Sequence, residues 1–521
     1  MQASVPGLLE TRAAGPASPE GPAGSLAWQP SRRLVVIGFV LIAMACLLFQ
    51  GSRGLWRPDE GRYTAVAMQM LRSGDWMTPR LNSEVLHLTK PPLAYWAIAA
   101  SISVFGRNEW AVRLPNTLAF LATILLVAAV GRALLDGASS GDPRPSPRAW
   151  IAALIYGTSA IPFAAANIVT TDTILTLWET LAMFAFVRWR LAGSESRPRG
   201  LLVLMWTAFG LACATKGPPG LLPLAAMLIF GLWTEGLRSL RRLWSWPGLA
   251  IFLLLGFGWF VWIGLTRHGT LHYFLHREFM SRIFSGKHHR HSEWWGAAFV
   301  YAPTLIAGTL PWSWRLLWIR PSRLASLAGP RGLGARLLGC WFLLPLLVFC
   351  VARSRLPFYI LPLFVPLSVM LAASMRLDAR SARRFVILLS LWLLLLVAVK
   401  GKVTGVMHRR SPLPLVAAIE RSIGSRPEKI VFVNSPVHYS LSLYFDCEVK
   451  ETVLRFRPTV DADLHRIASV EEEILEHGAG RVYVVRAAFE KELVSCAEEH
   501  GVRMLESGKL ADLRILTVAG G

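Results

Sequence analysis

RPDEGRYTAVAMQMLRSGDWMTPRLNSEVLHLTKPPL, residues 57–93, is a charged stretch that lies between the apolar runs 34–50 and 112–135. It opens with the adjacent acids Asp59 and Glu60 and closes on a Lys-Pro-Pro sequence. The whole chain is 53% hydrophobic and only 17% charged, which is far from the balance of a soluble protein. The stretch therefore predicts a polytopic α-helical membrane protein with a polar loop held beside the bilayer.

Eleven apolar runs of helix length follow one another in the first 400 residues. Most of them approach the ~20 residues that cross a ~30 Å hydrocarbon core, and the shorter ones leave the count at about 11–13 spans. The runs are 34–50, 112–135, 149–167, 171–190, 201–215, 218–234, 247–265, 294–318, 337–352, 357–374 and 383–400. We interpret the first run as a retained helix and not as a cleaved signal peptide, because no small-x-small cleavage site follows it.

The sequence predicts three regions. Residues 1–33 are rich in Pro, Ala, Gly and Ser and are predicted to be a disordered cytoplasmic tail. Residues 34–400 form the membrane domain, which includes the loop 51–111, and residues 401–521 are predicted to form a soluble α/β domain. The predicted strands of that domain are 429–433 and 481–485, and its predicted amphipathic helices are 461–477 and 488–500.

Two short helices are predicted within the loop. Residues 60–73 carry apolar side chains at helical spacing with polar residues between them, as a helix at the membrane surface does. Pro79 and then Pro91-Pro92 interrupt the chain before a second helix at about 93–105. The loop is thus predicted to consist of two interfacial helices joined by a turn.

The distribution of charge predicts the orientation of the membrane domain. The formal net charge is +22, and the first 400 residues hold 39 Lys and Arg against 16 Asp and Glu. Basic residues concentrate in the connecting segments 191–200, 235–243, 319–336 and 375–384, which fall on one side if the spans alternate. The positive-inside rule places that side in the cytoplasm. Positive charge dispersed among apolar spans is not typical of nucleic-acid binding, so no nucleic-acid partner is predicted.

The opposite side of the membrane, periplasmic or extracytoplasmic, would then hold the other polar connections. These are 51–111, 168–171, 215–217, 266–293 and 353–356. An odd number of spans would also export the α/β domain. In an exported domain, Cys447 and Cys496 could form a disulfide, although sequence alone does not show that they approach each other.

Asp59 is the candidate general base of the loop. An acid at a lipid surface is costly unless it is paired or used in chemistry, and Asp59 stands beside Glu60 and shortly before Arg62 and Tyr63. The alternative is a structural role, in which Asp59 caps the helix that begins near Glu60. One residue can do both.

Cations on the predicted periplasmic side are candidates for binding a phosphate. Lys90 is held in extended geometry by the prolines that follow it, although an isolated Lys at the interface can equally reach toward lipid headgroups. Further candidates on that side are Lys216, Arg353, Arg355, Arg277 and the neighbouring His276. Asp172 is a boundary acid on the same side that could pair with one of these cations or line the site.

Residues 267–291 hold five Lys or Arg and six His on the side where positive charge is not expected, which calls for an anionic ligand. Within and beside this segment, His288, His289, His291 and Glu293 are close in sequence and could bind a divalent metal. Their spacing matches no zinc motif, so no metal or other cofactor is predicted.

Taken together, these motifs resemble those of a known family. PDEGRYTAVAMQML, SGDWMTPRLN and TKPPLAYW are similar to the first periplasmic loop of the bacterial lipid A aminoarabinose transferases, which belong to the GT-C superfamily with the protein O-mannosyltransferases. The similarity continues in the same order through TTDTILT, ATKGPPG, HREFMSRI, HHRHSEWW, GTLPW and SRLPFYILPL. It covers most of residues 34–400.

The resemblance implies a GT-C-type fold, a polyprenyl-phosphate sugar donor and an active site between the first periplasmic loop and the helix bundle. It implies that Asp59 is the catalytic base, that Arg62 and Lys90 contact the donor phosphate, and that Tyr359 lies near the donor. The residues in matching motifs with less defined roles are Asp172, Lys216 and Arg277.

One position departs from the family. An acid commonly precedes the family's Lys-Pro-Pro sequence, whereas Thr89 stands there in this chain. An acid at that place could recognise a cationic amino sugar, so its loss leaves open whether the sugar is aminoarabinose and whether the acceptor is a lipid A phosphate.

These observations predict an inverting glycosyltransferase of the inner membrane that moves a sugar from a polyprenyl-phosphate donor to lipid A, lipopolysaccharide or another periplasmic lipid or glycan. The predicted site comprises Asp59 and Glu60 in catalysis, Arg62, Lys90, Arg277 and Tyr359 at the donor phosphate, and Tyr63, Asp172, Lys216, Arg353, Arg355 and His276 around them. The alternative is a polytopic transporter or lipid flippase, whose intramembrane charges would line a pathway. Against it, the polar motifs crowd at one face and no inverted repeats are visible.

Overall fold

The computed structural model describes residues 31–135, 147–192, 198–274, 291, 293–319, 332–375, 378–405, 411–454, 469–476 and 480–518. Residues up to Gly405 form a helical bundle, and the residues after it form a five-stranded sheet with short helices. The bundle helices are α1 (Arg32–Leu47), α2 (Asp59–Ser73), α3 (Leu93–Phe105), α4 (Glu109–Leu135), α5 (Pro147–Thr158), α6 (Ala160–Ala166), α7 (Thr171–Leu191), α8 (Arg199–Lys216), α9 (Leu222–Glu235), α10 (Arg238–Arg242), α11 (Trp246–Thr266), α12 (Thr270–His272), α13 (Gly296–Gly308), α14 (Leu333–Val351), α15 (Phe364–Ala373) and α16 (Ala379–Gly405). Short 3-10 helices cover Pro218–Leu221, Ser313–Trp318 and Pro357–Leu363.

Each of the eleven apolar runs coincides with helical structure. By length and composition, four of the described helices can cross a membrane: α4, α11, α14 and the part of α16 from Arg380 to Gly405. A fifth candidate is the pair α5 and α6, whose axes are bent by 62°. Helix α7 is also 21 residues long, but it carries charged residues at both ends and in its middle. The chain is thus a multi-pass helical protein.

Helix α2 has both of its ends defined by local sequence. Asp59 and Glu60 lie in its first turn, where negative charge is favourable because the backbone N–H groups there point outward without partners. Gly74 ends the helix in the left-handed region at φ 72°, a conformation that glycine adopts without a Cβ penalty. The helices predicted at 60–73 and 93–105 are confirmed as α2 and α3.

The connecting segments separate into two ends of the bundle. At one end, Gln50 Nε2 donates to Thr117 Oγ1 at 2.6 Å, and Arg53 donates to the carbonyl of Asn167 at 3.2 Å. At the other end, Arg190 at the end of α7 pairs with Glu235 at the end of α9. The residues of the loop 51–111 therefore lie at one end, and the C-terminal ends of α7 and α9 lie at the opposite one.

The sheet domain has the strand order β2-β1-β3-β5-β4. Its strands are β1 (Lys429–Val433), β2 (Glu448–Thr452), β3 (Arg481–Arg486), β4 (Met504–Leu510) and β5 (Leu513–Val518), and its helices are α17 (Leu413–Ser422), α18 (Leu441–Phe445), α19 (Val470–Leu475) and α20 (Glu490–Glu499). Strand β1 is parallel to β2 and β3, and β5 is antiparallel to β3 and β4. The predicted strands 429–433 and 481–485 and the helix predicted at 488–500 are confirmed, and the helix predicted at 461–477 lies largely outside the described residues.

Cys447 and Cys496 do not form the disulfide that the sequence left open. Both thiols are free. Cys447 packs with Ile430 and Phe432 on one face of the sheet, whereas Cys496 packs with Val431 and Val433 on the other. Successive residues of a strand point to opposite faces, so the sheet itself separates the two sulfurs.

The sheet domain packs directly on the loop 51–111. Tyr444 Oη donates to Glu109 at 2.9 Å and accepts from the backbone N–H of Leu55 at 3.3 Å. The backbone N–H of Ser83 donates to Glu448 at 2.6 Å, and Lys450 pairs with both Glu84 and Glu473. Arg72 of α2 also donates to the carbonyl of Cys447 at 3.2 Å, so this domain covers one side of α2, which the local sequence of the loop does not indicate.

Candidate active site

Glu60 is buried at the junction of the loop and the bundle, with a side chain that is only 2% exposed. Its carboxylate accepts hydrogen bonds from Arg53 at 2.8 Å and from Arg113 at 3.1 Å. It also accepts from the backbone N–H groups of Trp56 at 2.8 Å and Val169 at 3.1 Å. Burial alone would raise the pKa of Glu60, but Arg113 and Arg53 together outweigh it and lower the pKa to about 2.

Arg113 completes this junction and is itself 1% exposed. Its guanidinium donates to the carbonyls of Gln50 at 2.6 Å, Arg53 at 2.8 Å and Gly54 at 3.0 Å. The catalytic role predicted for Glu60 stays a prediction, because its contacts are those of a residue that holds the first turn of α2 against the bundle. Through that turn, Glu60 and Arg113 position Asp59.

Asp59 is exposed, in contrast to its neighbour. Its side chain is 57% exposed and accepts a hydrogen bond from Arg62 at 2.7 Å, one turn further along α2. The alternative that Asp59 caps α2 is wrong, because the helix begins at Asp59 itself and the preceding Pro58 makes no side-chain cap. Asp59 and Arg62 are therefore open to a ligand at the start of the helix.

Tyr63 connects this open pair to a buried group of polar residues. Its ring lies 5.5 Å from the ring of Tyr95, measured between centroids. Burial, together with Tyr95 and the negative charges of Asp59 and Asp172, raises the pKa of Tyr63 well above its usual value. The phenol is thus neutral at pH 7 and lies within electrostatic reach of both carboxylates.

Asp172 and Lys216 form an ion pair at the same end of the bundle. Asp172 lies at the start of α7, where Thr170 Oγ1 donates to it at 2.8 Å, and Lys216 is the last residue of α8. Both side chains are under 10% exposed, and the Lys216 ammonium stands 4.5 Å above the ring of Tyr359. An ammonium over an aromatic face is attracted by the negative π-electron density of the ring.

The Lys-Pro-Pro segment lies beside this group. Lys90 is half-buried, and the preceding Thr89 places its hydroxyl 3.0 Å from His87 Nε2. The His87 ring in turn lies 6.0 Å from that of Tyr95, which packs on Tyr63. Through these rings the Lys-Pro-Pro segment is linked to Tyr63, and its role at a donor phosphate stays a prediction.

Arg355 has a different environment from the other cations. It is 4% exposed, and its guanidinium donates to the carbonyls of Cys350 at 2.9 Å, Glu293 at 2.8 Å and His291. These contacts hold His291 and Glu293 to the end of α14, which is a structural role. Arg353, two residues earlier, is exposed.

Part of this chain is similar to known proteins. Residues 89–262 match the family described as dolichyl-phosphate-mannose-protein mannosyltransferase. The undecaprenyl phosphate-α-4-amino-4-deoxy-L-arabinose arabinosyl transferases of Pseudomonas fluorescens and Edwardsiella ictaluri are 31% and 32% identical over 349 residues, or 65% of this chain. The chain spans 58% and 59% of the length of these relatives.

Two solved structures have a fold similar to that of this chain. ArnT from Cupriavidus metallidurans bound to undecaprenyl phosphate matches 94% of this chain and 99% of its own, with a TM-score of 0.77 at 21% identity. The archaeal oligosaccharyltransferase AglB from Archaeoglobus fulgidus matches 89% of this chain and 71% of its own, with a TM-score of 0.52 at 11% identity. The chain has the GT-C fold, and its sequence is similar to part of the aminoarabinose arabinosyl transferases.

Three charged residues of this GT-C bundle were not predicted from the sequence: Arg53, Arg113 and Glu179. Arg113 falls inside the apolar run 112–135 and Glu179 inside the run 171–190, and a charge at such a position is the signal that marks a functional or structural site. Glu179 is 4% exposed and lies on α7 within electrostatic reach of Lys216 and Asp172.

Part of the predicted GT-C site lies outside the described residues. Arg277 and His276 are there, together with His288 and His289 of the histidine cluster. In the ranges that the structure describes, no group of three or more His, Cys, Asp or Glu side chains could hold a metal ion.

The arrangement can bind a phosphate and remove a proton. Lys216 supplies a positive charge in a largely buried setting, where electrostatic attraction is stronger than in water. Asp59 supplies an exposed carboxylate. It lies in the first turn of α2, four residues before Tyr63. Such a pair of functions is what transfer of a sugar from a lipid phosphate to a hydroxyl requires.

Proposed function

We propose that this protein is a glycosyltransferase of the bacterial inner membrane that moves a sugar from a polyprenyl-phosphate donor to lipid A or another periplasmic lipid or glycan. The observation that carries the proposal is that Tyr63 lies within electrostatic reach of both the open Asp59–Arg62 pair and the buried Lys216–Asp172–Tyr359 group. The undecaprenyl phosphate in the names of the relatives supports the same donor class.

The donor enters sideways from the membrane, with its prenyl chain among lipid-facing side chains and its phosphate at headgroup depth. Lys216, Lys90 and Arg62 bind the phosphate, and Tyr359 lines its site. The acceptor hydroxyl attacks the anomeric carbon while the bond from that carbon to the phosphate oxygen breaks, so the configuration inverts. Asp59 takes the acceptor proton, and the cations stabilise the negative charge that develops on the departing polyprenyl phosphate.

Transfer itself is the test of this proposal. The full-length protein, purified in detergent, is supplied with radiolabelled polyprenyl-phosphate sugars and with envelope lipids extracted from the same cells as acceptor. The expected result is label in the envelope lipids and free polyprenyl phosphate in equal amounts. Movement of the unchanged lipid across a vesicle membrane without sugar transfer would instead identify a flippase.

Replacing Lys216 should weaken binding of the donor lipid. Lys216→Gln removes a charged phosphate contact and leaves Asp172 unpaired nearby, so the Kd for undecaprenyl phosphate should rise at least about tenfold. Binding is followed by the thermal shift of the purified protein. Lys491→Gln, on the exposed face of α20, is the matched control and should bind like the unmodified protein. An unchanged Kd in Lys216→Gln would remove Lys216 from the donor site.

The orientation of the bundle is tested separately. Alkaline phosphatase, which folds only in the periplasm, should be active when fused after β5 and inactive when fused between α9 and α10. The physical reason is the concentration of basic residues at the α9–α10 end of the bundle. Activity in the reverse pattern would place Asp59 in the cytoplasm and contradict the proposed site of transfer.

A further inference from the structure

The sheet domain forms a wall on one side of α2. A Cβ at Gly61 would lie 3.1 Å from the backbone nitrogen of Ser440, so this domain touches the first turn of the helix directly. Gly61 and Tyr63 are two residues apart, which places them ~200° apart around the helix axis. Tyr63 faces the Asp172 side of the bundle, and Gly61 therefore faces the sheet domain.

Asp59 and Arg62 project between these two faces. On the helix circumference, the order is Tyr63, Asp59, Arg62 and Gly61, at ~100° per residue. Asp59 thus has the donor group of the bundle on one side and the sheet domain on the other. A hydroxyl that displaces a phosphate in line must approach from the side opposite the phosphate, which here is the side of the sheet domain.

Three polar residues of the sheet domain lie on that side. Tyr439 Oη donates to Glu451 Oε2 at 3.4 Å, and the positive charge of Arg62 acts on Tyr439. His438 is 7% exposed, and its Nδ1 makes no hydrogen bond within the part of the chain that the structure describes. Burial and the charge of Arg57 lower the pKa of His438 to about 4, so the imidazole is neutral at pH 7. A buried polar nitrogen without a protein partner is costly, and a ligand hydroxyl would satisfy it.

We propose that His438, Tyr439 and Glu451 form the acceptor subsite and bind an uncharged, hydroxyl-rich part of a saccharide. This inference rests on the proposed transferase function. Arg62, the loop cation beside the subsite, is already paired, since it donates to Asp59 at 2.7 Å. A phosphate monoester placed there would lie against the Glu451 carboxylate, whereas sugar hydroxyls can donate to Glu451 and to the Tyr439 oxygen.

The subsite is tested by the acceptor dependence of transfer. Glu451→Gln and Tyr439→Phe each remove one polar contact without a large change of shape, and each should raise the KM for extracted envelope lipids about tenfold. The Kd for undecaprenyl phosphate should stay unchanged in both variants. Glu498→Gln, on α20 at the opposite face of the sheet, is the control and should keep both constants.

A second measurement uses envelope lipids from which phosphatase has removed the phosphate monoesters. The treated lipids should remain acceptors for the unmodified protein, because the subsite recognises hydroxyl groups. Loss of acceptor activity after phosphatase treatment, or an unchanged KM in both variants, would overturn the subsite while leaving the transferase function in place. Failure of the unmodified protein to transfer at all would instead overturn the proposed function.

Discussion

Asp59→Asn should abolish sugar transfer while leaving the protein folded and able to bind undecaprenyl phosphate. An amide cannot take the proton of the acceptor hydroxyl, and loss of a general base typically lowers kcat by about 10²–10⁴-fold. Folding should be little affected, because the Asp59–Arg62 pair is exposed and exposed ion pairs contribute at most about 1 kcal/mol. The measurement is kcat for transfer of radiolabelled sugar, together with the Kd for undecaprenyl phosphate.

The matched control for this experiment is Asp512→Asn, in the exposed turn between β4 and β5. It makes the same chemical change in the sheet domain and should keep the full rate. Full activity in Asp59→Asn would remove Asp59 from catalysis. Loss of both transfer and donor binding would mean that Asp59 acts through the placement of Arg62 at the phosphate, and not as a base.

Arg113→Met should strongly lower the stability of the protein, in contrast to Asp59→Asn, which should leave the protein folded. The substitution leaves the Glu60 carboxylate buried with Arg53 as its remaining cationic partner, and it deprives the carbonyls of Gln50 and Gly54 of a donor. Breaking a buried ion pair by removing one partner costs about 3–5 kcal/mol. Thermal unfolding of the detergent-purified protein should therefore occur at a clearly lower temperature than in the control Arg421→Met, whose side chain is exposed.

The same junction predicts a dependence of stability on pH. The pKa of Glu60 is lowered to about 2, so its carboxylate stabilises the fold fully above the unfolded-state pKa, and that contribution is lost as pH falls from about 4.5 toward about 2. Glu60→Gln should remove this part of the acid sensitivity, although the variant starts from a lower stability at pH 7. Arg113→Met that unfolds at the same temperature as the unmodified protein would contradict the role of the junction.

These two predictions separate neighbours that the sequence presents as a pair. Asp59 and Glu60 are adjacent acids at the start of a helix, and both are reasonable candidates for catalysis on that basis. Adjacent residues of a helix point ~100° apart, so one can face a cleft while the other enters the core. Which of them does so depends on Arg113, which is 53 positions away in the chain.

Candidate site residues were predictable where their motifs are local. Asp172 and Lys216 stand out as charges at the ends of apolar runs, and alternation of the spans places them at the same end, where the structure pairs them. The role of Arg355 was not predictable in the same way. It has the sequence context of a phosphate ligand, but backbone carbonyls occupy its guanidinium.

The sequence by itself determined the helical membrane domain, the loop 57–93 at one end of it, and the strands at 429–433 and 481–485. Hydropathy and side-chain periodicity are properties of neighbouring residues, so they can be recognised in the sequence without any knowledge of packing. Only the tertiary structure decided that Glu60 is buried, that Cys447 and Cys496 lie on opposite faces of the sheet, and that the sheet domain touches α2 at Gly61. Those contacts join residues far apart in the chain, and they depend on which surfaces exclude water when the sheet domain packs on α2.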